Sequence, residues 1–232
     1  MIRGSLKFVK GAMLLETIEV DTHPEPNASI IWLHGLGADG HDFEPVVPEI
    51  VLRGEKAWRF VFPNAPVRPV TLNGGMKMRA WYDIKGLDRG AAEDIAGFRE
   101  TAAQVSDLIA REQKRGIPAS RIVLAGFSQG GAVTLYMLSR HPTALAGFMA
   151  LSCYLPAAAS LEAERQTAND KAPLFMAHGQ FDPVIAVTMG QRSRDGLKAH
   201  GYGVDWHEYP MAHSVCAEEI SDIRRFLFAV LP

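Results

Sequence analysis

Seven short apolar runs punctuate the chain, near residues 14–20, 29–34, 59–63, 121–126, 146–152, 173–178 and 204–209. Each has the length of a strand and is bounded by turn-forming residues. Segments of helical periodicity lie between them. The clearest runs over 93–115, where Ile95, Phe98, Ala102, Val105 and Ile109 share one face and the other face is charged. Such a helix covers one side of a sheet. Strands alternating with helices predict an α/β fold, a mostly parallel central sheet of about seven strands with helices on both faces. One connection stands out: residues 66–88 make a long loop for a compact domain, and long loops often serve as lids or binding segments.

The run Ile122-Val123-Leu124-Ala125 leads into Gly126-Phe127-Ser128-Gln129-Gly130-Gly131, and a helical pattern follows from Ala132 to Ser139. A G-x-S-x-G between strand and helix reads as a nucleophile elbow. The turn is so tight that the positions two either side of the serine must be nearly bare. The Ser128 hydroxyl then projects above the sheet. The Gln129 N–H lies at a helix N-terminus, where a developing oxyanion is stabilised.

A serine needs a base and an acid, expected in the order serine, acid, histidine, each just beyond a strand. After Ser128 come His141, His178, His200, His207 and His213. His141 and His200 close helix patterns, His207 lies inside a strand-like run, and His178 reads as a packed loop residue. Only His213 falls in the loop between the last strand and the last helix, Val215 to Val230, so it is the candidate general base. Asp182 follows the strand Leu174-Phe175-Met176-Ala177 and is the candidate acid. Its competing reading is a helix N-cap, since Pro183 can start a helix there.

The second oxyanion donor is expected after an early strand. Ser29-Ile30-Ile31-Trp32-Leu33 runs into His34-Gly35-Leu36-Gly37-Ala38-Asp39-Gly40, which makes the Leu36 N–H the candidate. The same segment is a literal G-x-G-x-x-G. A dinucleotide site also needs an acid at the end of the next strand. That strand, Arg59-Phe60-Val61-Phe62, ends instead in Pro63-Asn64-Ala65-Pro66.

These motifs, with Gly179-x-x-Asp182-Pro183-Val184, Trp81-Tyr82-Asp83 and Leu151-Ser152-Cys153-Tyr154-Leu155-Pro156, resemble the phospholipase/carboxylesterase branch of the α/β-hydrolases. That branch includes carboxylesterases, acyl-protein thioesterases and lysophospholipase-like enzymes. The resemblance covers about residues 14–232. It implies a catalytic triad of Ser128, Asp182 and His213 and an oxyanion hole of the Leu36 and Gln129 amides. It also implies a homodimer. Tyr82 stands where phenylalanine is common in such enzymes.

The expected chemistry is hydrolysis of carboxylic esters and acyl-thioesters of short to medium chain acids, through an acyl-serine. The substrate is a small or lipid-like ester or thioester, or an acylated protein. Leu72, Met76, Trp81 and Leu155 are the expected acyl-binding residues, and core packing is the competing role for Trp81. A small-lactone hydrolase of the dienelactone kind is a near rival, although such enzymes often carry cysteine where this chain has Ser128. A lysophospholipase is another. A serine peptidase would use the same triad, but no extra propeller or cap domain is evident to select peptides. A non-catalytic binding protein would be expected to have lost a triad member, and none is missing.

Composition changes little. The chain of 232 residues suits a single domain over 13–232, with residues 1–12 expected as a frayed N-terminal extension and Met13 as a second start. With 24 basic and 26 acidic residues there is no electrostatic case for nucleic acid. No run reaches the length of a membrane span. Two cysteines and no signal-peptide pattern point to the cytoplasm. No cofactor is expected, and no metal: His207-Glu208 begins like H-E-x-x-H, but Met211 takes the second histidine's place and Pro210 breaks the helix that motif needs.

Overall fold

The computed structural model describes residues 14–86 and 92–232. The expected extension over 1–12, Met13 and the end of the 66–88 segment lie outside the described residues. One sheet holds β1 (Thr17–Asp21), β2 (Ala28–Leu33), β3 (Trp58–Pro63), β6 (Ile122–Phe127), β7 (Gly147–Leu151), β8 (Leu174–Gly179) and β9 (Asp205–Tyr209), while β4 (Val67–Val70) and β5 (Met76–Arg79) form a separate hairpin. The sheet order is β1-β3-β2-β6-β7-β8-β9. Only β1 runs antiparallel to its neighbour, β3. All seven predicted strands are present. The first is displaced, because its pairing with β3 begins at Thr17 and not at Leu14.

The central strands are buried on both faces, which is why they read as unbroken apolar runs. Alternate residues still go to different cores. Ile31, Leu33, Leu124, Ala150 and Met176 join one cluster, with Phe98, Val105 and Leu108 of α2 (Ile95–Lys114) and Ala132 and Leu135 of α3 (Gln129–Leu138). Ile30, Trp32, Val123, Met149 and Phe175 join the other, with Val47 and Ile50 of the single-turn α1 (Val47–Ile50) and Ile223 and Leu227 of α6 (Ala217–Val230). The short α4 (Leu161–Glu164) and α5 (Val187–Ala199) add Leu161 and Leu197 to the α2–α3 side. Helices therefore cover both faces. No helix among the described residues is long and apolar enough to cross a membrane.

The chain leaves β2 toward β3 on one side and later returns with β6 on the other. The strand order thus reverses between β2 and β6, and the crevice above such a switch point is where open α/β sheets bind ligands. Leu33 pairs with Gly126 there, so the loops beginning at His34 and Ser128 leave the sheet side by side.

Two expectations need correction. Much of the 66–88 segment is not an irregular loop but the β4–β5 hairpin, turned by Gly74 and Gly75 at φ 67° and 79°. Trp81 is completely buried and belongs to the α2–α3 core, so its side chain has no surface to offer an acyl chain.

Candidate active site

Ser128 sits between β6 and α3 with φ 54° and ψ −117°, a backbone conformation that L-residues rarely adopt. The flanking glycines explain how the chain can turn there. A Cβ on Gly126 would run into the Gly130 carbonyl, and one on Gly130 into the Leu33 carbonyl of the neighbouring strand. The turn is anchored by the Ser128 N–H, which donates to the Leu151 carbonyl at 2.8 Å.

The loops after β8 and β9 bring in the partners. The Gln180 N–H donates to the Tyr209 carbonyl (2.8 Å) and the Phe181 N–H to the Met211 carbonyl (3.0 Å), which staples one loop to the other. His213 Nδ1 lies 2.6 Å from Asp182 Oδ2, and His213 Nε2 lies 2.9 Å from Ser128 Oγ. The buried Asp182 carboxylate accepts the Nδ1–H, so Nε2 is left as the acceptor for the serine hydroxyl. Phe127 packs beside the imidazole with ring centroids 4.8 Å apart. The three residues picked from sequence are thus joined in one hydrogen-bonded chain.

Pro183 does not start a helix: α5 begins at Val187. Instead Asp182 Oδ1 accepts the Val184 and Ile185 N–H groups, both at 2.8 Å, in a local turn. His178 is buried at the end of β8, as a packed residue rather than a second base. Its Nε2 donates to the Ile185 carbonyl at 2.8 Å and lies 3.5 Å from Asp182 Oδ2. Burial lowers its pKa and keeps the ring neutral.

The loop after β2 closes on the serine from the other side. A Cβ on Gly35 would lie 3.5 Å from Ser128 Cβ, so Leu36 begins directly beside the nucleophile. Among the described residues no backbone or side-chain acceptor takes the Leu36 N–H. The hairpin leans on this loop: the Gly37 N–H donates to the Arg79 carbonyl at 2.8 Å, and Met78 Sδ would lie 3.8 Å from a Cβ on Gly37. Leu72 and Met76 stand exposed on the hairpin, and Leu155 is half-buried against the α2–α3 core. Sequence reasoning passed over Phe181 and Val184, which flank Asp182 and are exposed. A large apolar residue inside the polar Gly179–Pro183 loop was the available signal.

The sheet order, the strained serine and the bonded Ser–His–Asp chain define an α/β-hydrolase of the serine type. The chain matches the phospholipase/carboxylesterase family over residues 16–231 and belongs to that family. It is 42% identical over 214 residues to acyl-protein thioesterase 1 of Neurospora crassa, covering 88% of this chain and 87% of that one. Acyl-protein thioesterase 1 of Mycosarcoma maydis is 40% identical over 223 residues, covering 90% and 93% respectively. The crystal structure of Zea mays acyl-protein thioesterase 2 is similar with a TM-score of 0.82 at 30% identity, covering 94% of this chain and 99% of that chain.

Proposed function

We propose that Ser128, His213 and Asp182 form the catalytic triad of a hydrolase that cleaves acyl esters and acyl-thioesters, with acylated proteins or lipid-like esters as substrates. The observation that carries this reading is the 2.9 Å contact of Ser128 Oγ with His213 Nε2, made by a serine held at φ 54°. His213 takes the hydroxyl proton as Oγ attacks the carbonyl carbon. The carbonyl π electrons move onto oxygen, and the Leu36 and Gln129 N–H groups hold the oxyanion. As the tetrahedral species collapses, the bond to the thiol or alcohol breaks and His213 protonates the leaving group. Water then repeats the sequence on the acyl-serine and frees the acid.

Relatives named acyl-protein thioesterases support the thioester and acylated-protein side of this assignment. Exposed Leu72 and Met76, with half-buried Leu155, are the acyl-chain contacts of choice. The protein works in the cytoplasm as a homodimer in this reading, and its cysteines, Cys153 and Cys216, are free.

A fluorophosphonate probe tests the chemistry. Intact-mass analysis should show one adduct, on Ser128, and Ser128→Ala should take up none. Acyl-thioesters and p-nitrophenyl esters of the same acids should both turn over. Labelling at another residue, or turnover that survives Ser128→Ala, would refute the assignment.

A further inference from the structure

The two amides assigned to the oxyanion hole come from distant parts of the chain. Leu36 follows β2, and Gln129 opens α3. Their spacing decides how well both reach one oxygen, yet no bond of the Ser–His–Asp chain ties them together.

Trp81 does tie them. Its indole Nε1–H donates to the His34 carbonyl at 2.9 Å. Its backbone N–H donates to Gln129 Oε1 at 2.8 Å, and Gln129 Nε2 donates to the next carbonyl, that of Tyr82, at 2.8 Å. The Gln129 side chain thereby brackets the Trp81–Tyr82 peptide, bonded to the N–H before it and to the carbonyl after it. The Trp81 carbonyl is taken in turn by the Thr101 hydroxyl on α2. Trp81, Gln129 and His34 are all buried, so these bonds do not compete with bulk water.

His34 carries the constraint one step further. Its ring packs against the indole with centroids 5.1 Å apart. Nε2 accepts the Ala65 N–H at 3.1 Å, which leaves Nδ1–H to donate to the Gly35 carbonyl at 2.7 Å. The Gly35 carbonyl and the Leu36 N–H belong to one planar trans peptide. Holding that carbonyl therefore sets the direction of the Leu36 N–H. Burial lowers the His34 pKa, so the ring stays neutral and can accept at Nε2 while it donates at Nδ1.

We propose that Trp81 is a positioning residue that sets the distance and orientation between the two oxyanion donors, acting on Leu36 through His34 and on the start of α3 through the Gln129 side chain. Among the described residues its hydrogen bonds go to His34, Gln129 and Thr101, not to Ser128, His213 or Asp182. The proposal rests on the assignment of the Leu36 and Gln129 amides as oxyanion donors.

Trp81→Phe keeps a buried ring and removes the indole N–H. Gln129→Met keeps the backbone amide and removes the side-chain bonds. Both should be assayed on an acyl-thioester and the matching p-nitrophenyl ester, with kcat expressed per site titrated by fluorophosphonate. Each should lose about 10- to 100-fold in kcat, since small misplacements in a reacting geometry cost on that order. KM should stay within about threefold. Affinity for a trifluoromethyl ketone of the same acyl group should fall by the same factor as kcat/KM, because the adduct occupies the oxyanion position. A residue that only supports the core would instead lower the melting temperature and the fraction of titratable sites, leaving kcat per site and ketone affinity unchanged. Folded Trp81→Phe and Gln129→Met proteins with both quantities within twofold of the parent would overturn the proposal; should Trp81→Phe not fold, Gln129→Met alone decides. Failure of the underlying assignment would show differently, as a parent enzyme that binds the ketone no more tightly than the corresponding alcohol.

Discussion

Asp182 faces His213 with one carboxylate oxygen and its own loop with the other. Oδ2 lies 2.6 Å from His213 Nδ1, while Oδ1 accepts two backbone N–H groups, those of Val184 and Ile185. The helix N-cap reading of Asp182 does not hold, because α5 starts only at Val187; the oxygen it would have used closes a local turn instead. The turn immobilises the carboxylate, and the carboxylate then orients the imidazole. Neutral His178 behind it adds no positive charge beside the carboxylate.

Asp182→Asn separates these roles. The amide oxygen can still take the Val184 and Ile185 N–H groups, so the loop should hold and the melting temperature should change little. The amide NH₂ then faces His213 and favours the tautomer with Nε2 protonated, which cannot accept the serine proton. Loss of about 10⁴-fold in kcat is expected, by analogy with the same change in other serine triads. Steady-state kinetics beside thermal melts would check it; a parallel collapse of stability would show that the turn, not the tautomer, was lost.

Ser128 stores backbone strain at φ 54°. Replacing it by Ala should remove turnover, roughly a millionfold in a triad enzyme, and leave the strain in place. Ser128→Gly should be equally inactive but more stable than Ser128→Ala. Relief of strain of about 1–3 kcal/mol outweighs the roughly 0.4–1 kcal/mol that glycine loses through the greater entropy of its unfolded chain. Urea midpoints of the two inactive variants give the comparison. Equal midpoints would mean that the turn is not strained.

The parts of this molecule that were legible in sequence are those with a local signature. The buried strands read as apolar runs because both faces are covered. The elbow was legible because its glycines sit at fixed offsets from Ser128. The β4–β5 hairpin was not, since Val67–Val70 contains Pro69 and Met76–Arg79 is largely exposed. Its Asn73-Gly74-Gly75 turn was the overlooked sign. The role of Trp81 had no local signature at all. Its partners His34 and Gln129 lie 47 and 48 residues away in sequence, and periodicity carries no information about such contacts.

Glu219 should make stability depend on pH. It is fully buried at the start of α6, and burial raises its pKa from the ordinary 4.5 to about 8. A raised folded-state pKa means that the folded protein binds this proton more tightly than the unfolded chain does. The resulting stability is complete below about pH 4.5 and is lost as pH rises through 8, by up to about 1.4 kcal/mol per pH unit. Glu219→Gln removes this dependence. It should match the parent near pH 4 and exceed it in stability at pH 8.5, as read by denaturant titrations at both pH values. A parent that is no less stable than the variant at pH 8.5 would contradict the assignment.

The hairpin and the acid loop offer different ground for an acyl chain. Leu72 and Met76 are exposed on the first, Phe181 and Val184 on the second. A buried methylene is worth about 0.8 kcal/mol, or roughly fourfold in kcat/KM. A chain lying along the hairpin should therefore give rates that climb with acyl length until the apolar surface ends. The pair Leu72→Ser and Met76→Ser should flatten that climb, costing about tenfold on octanoyl esters and little on acetyl esters. Phe181→Ser supplies the control for the other side. Both sets of side chains are exposed, so neither substitution should open a cavity, and melting temperatures should stay close to the parent. A chain-length series of p-nitrophenyl esters read as kcat/KM separates the surfaces: a profile flattened by Phe181→Ser and untouched by the hairpin changes would put the acyl chain along the acid loop instead.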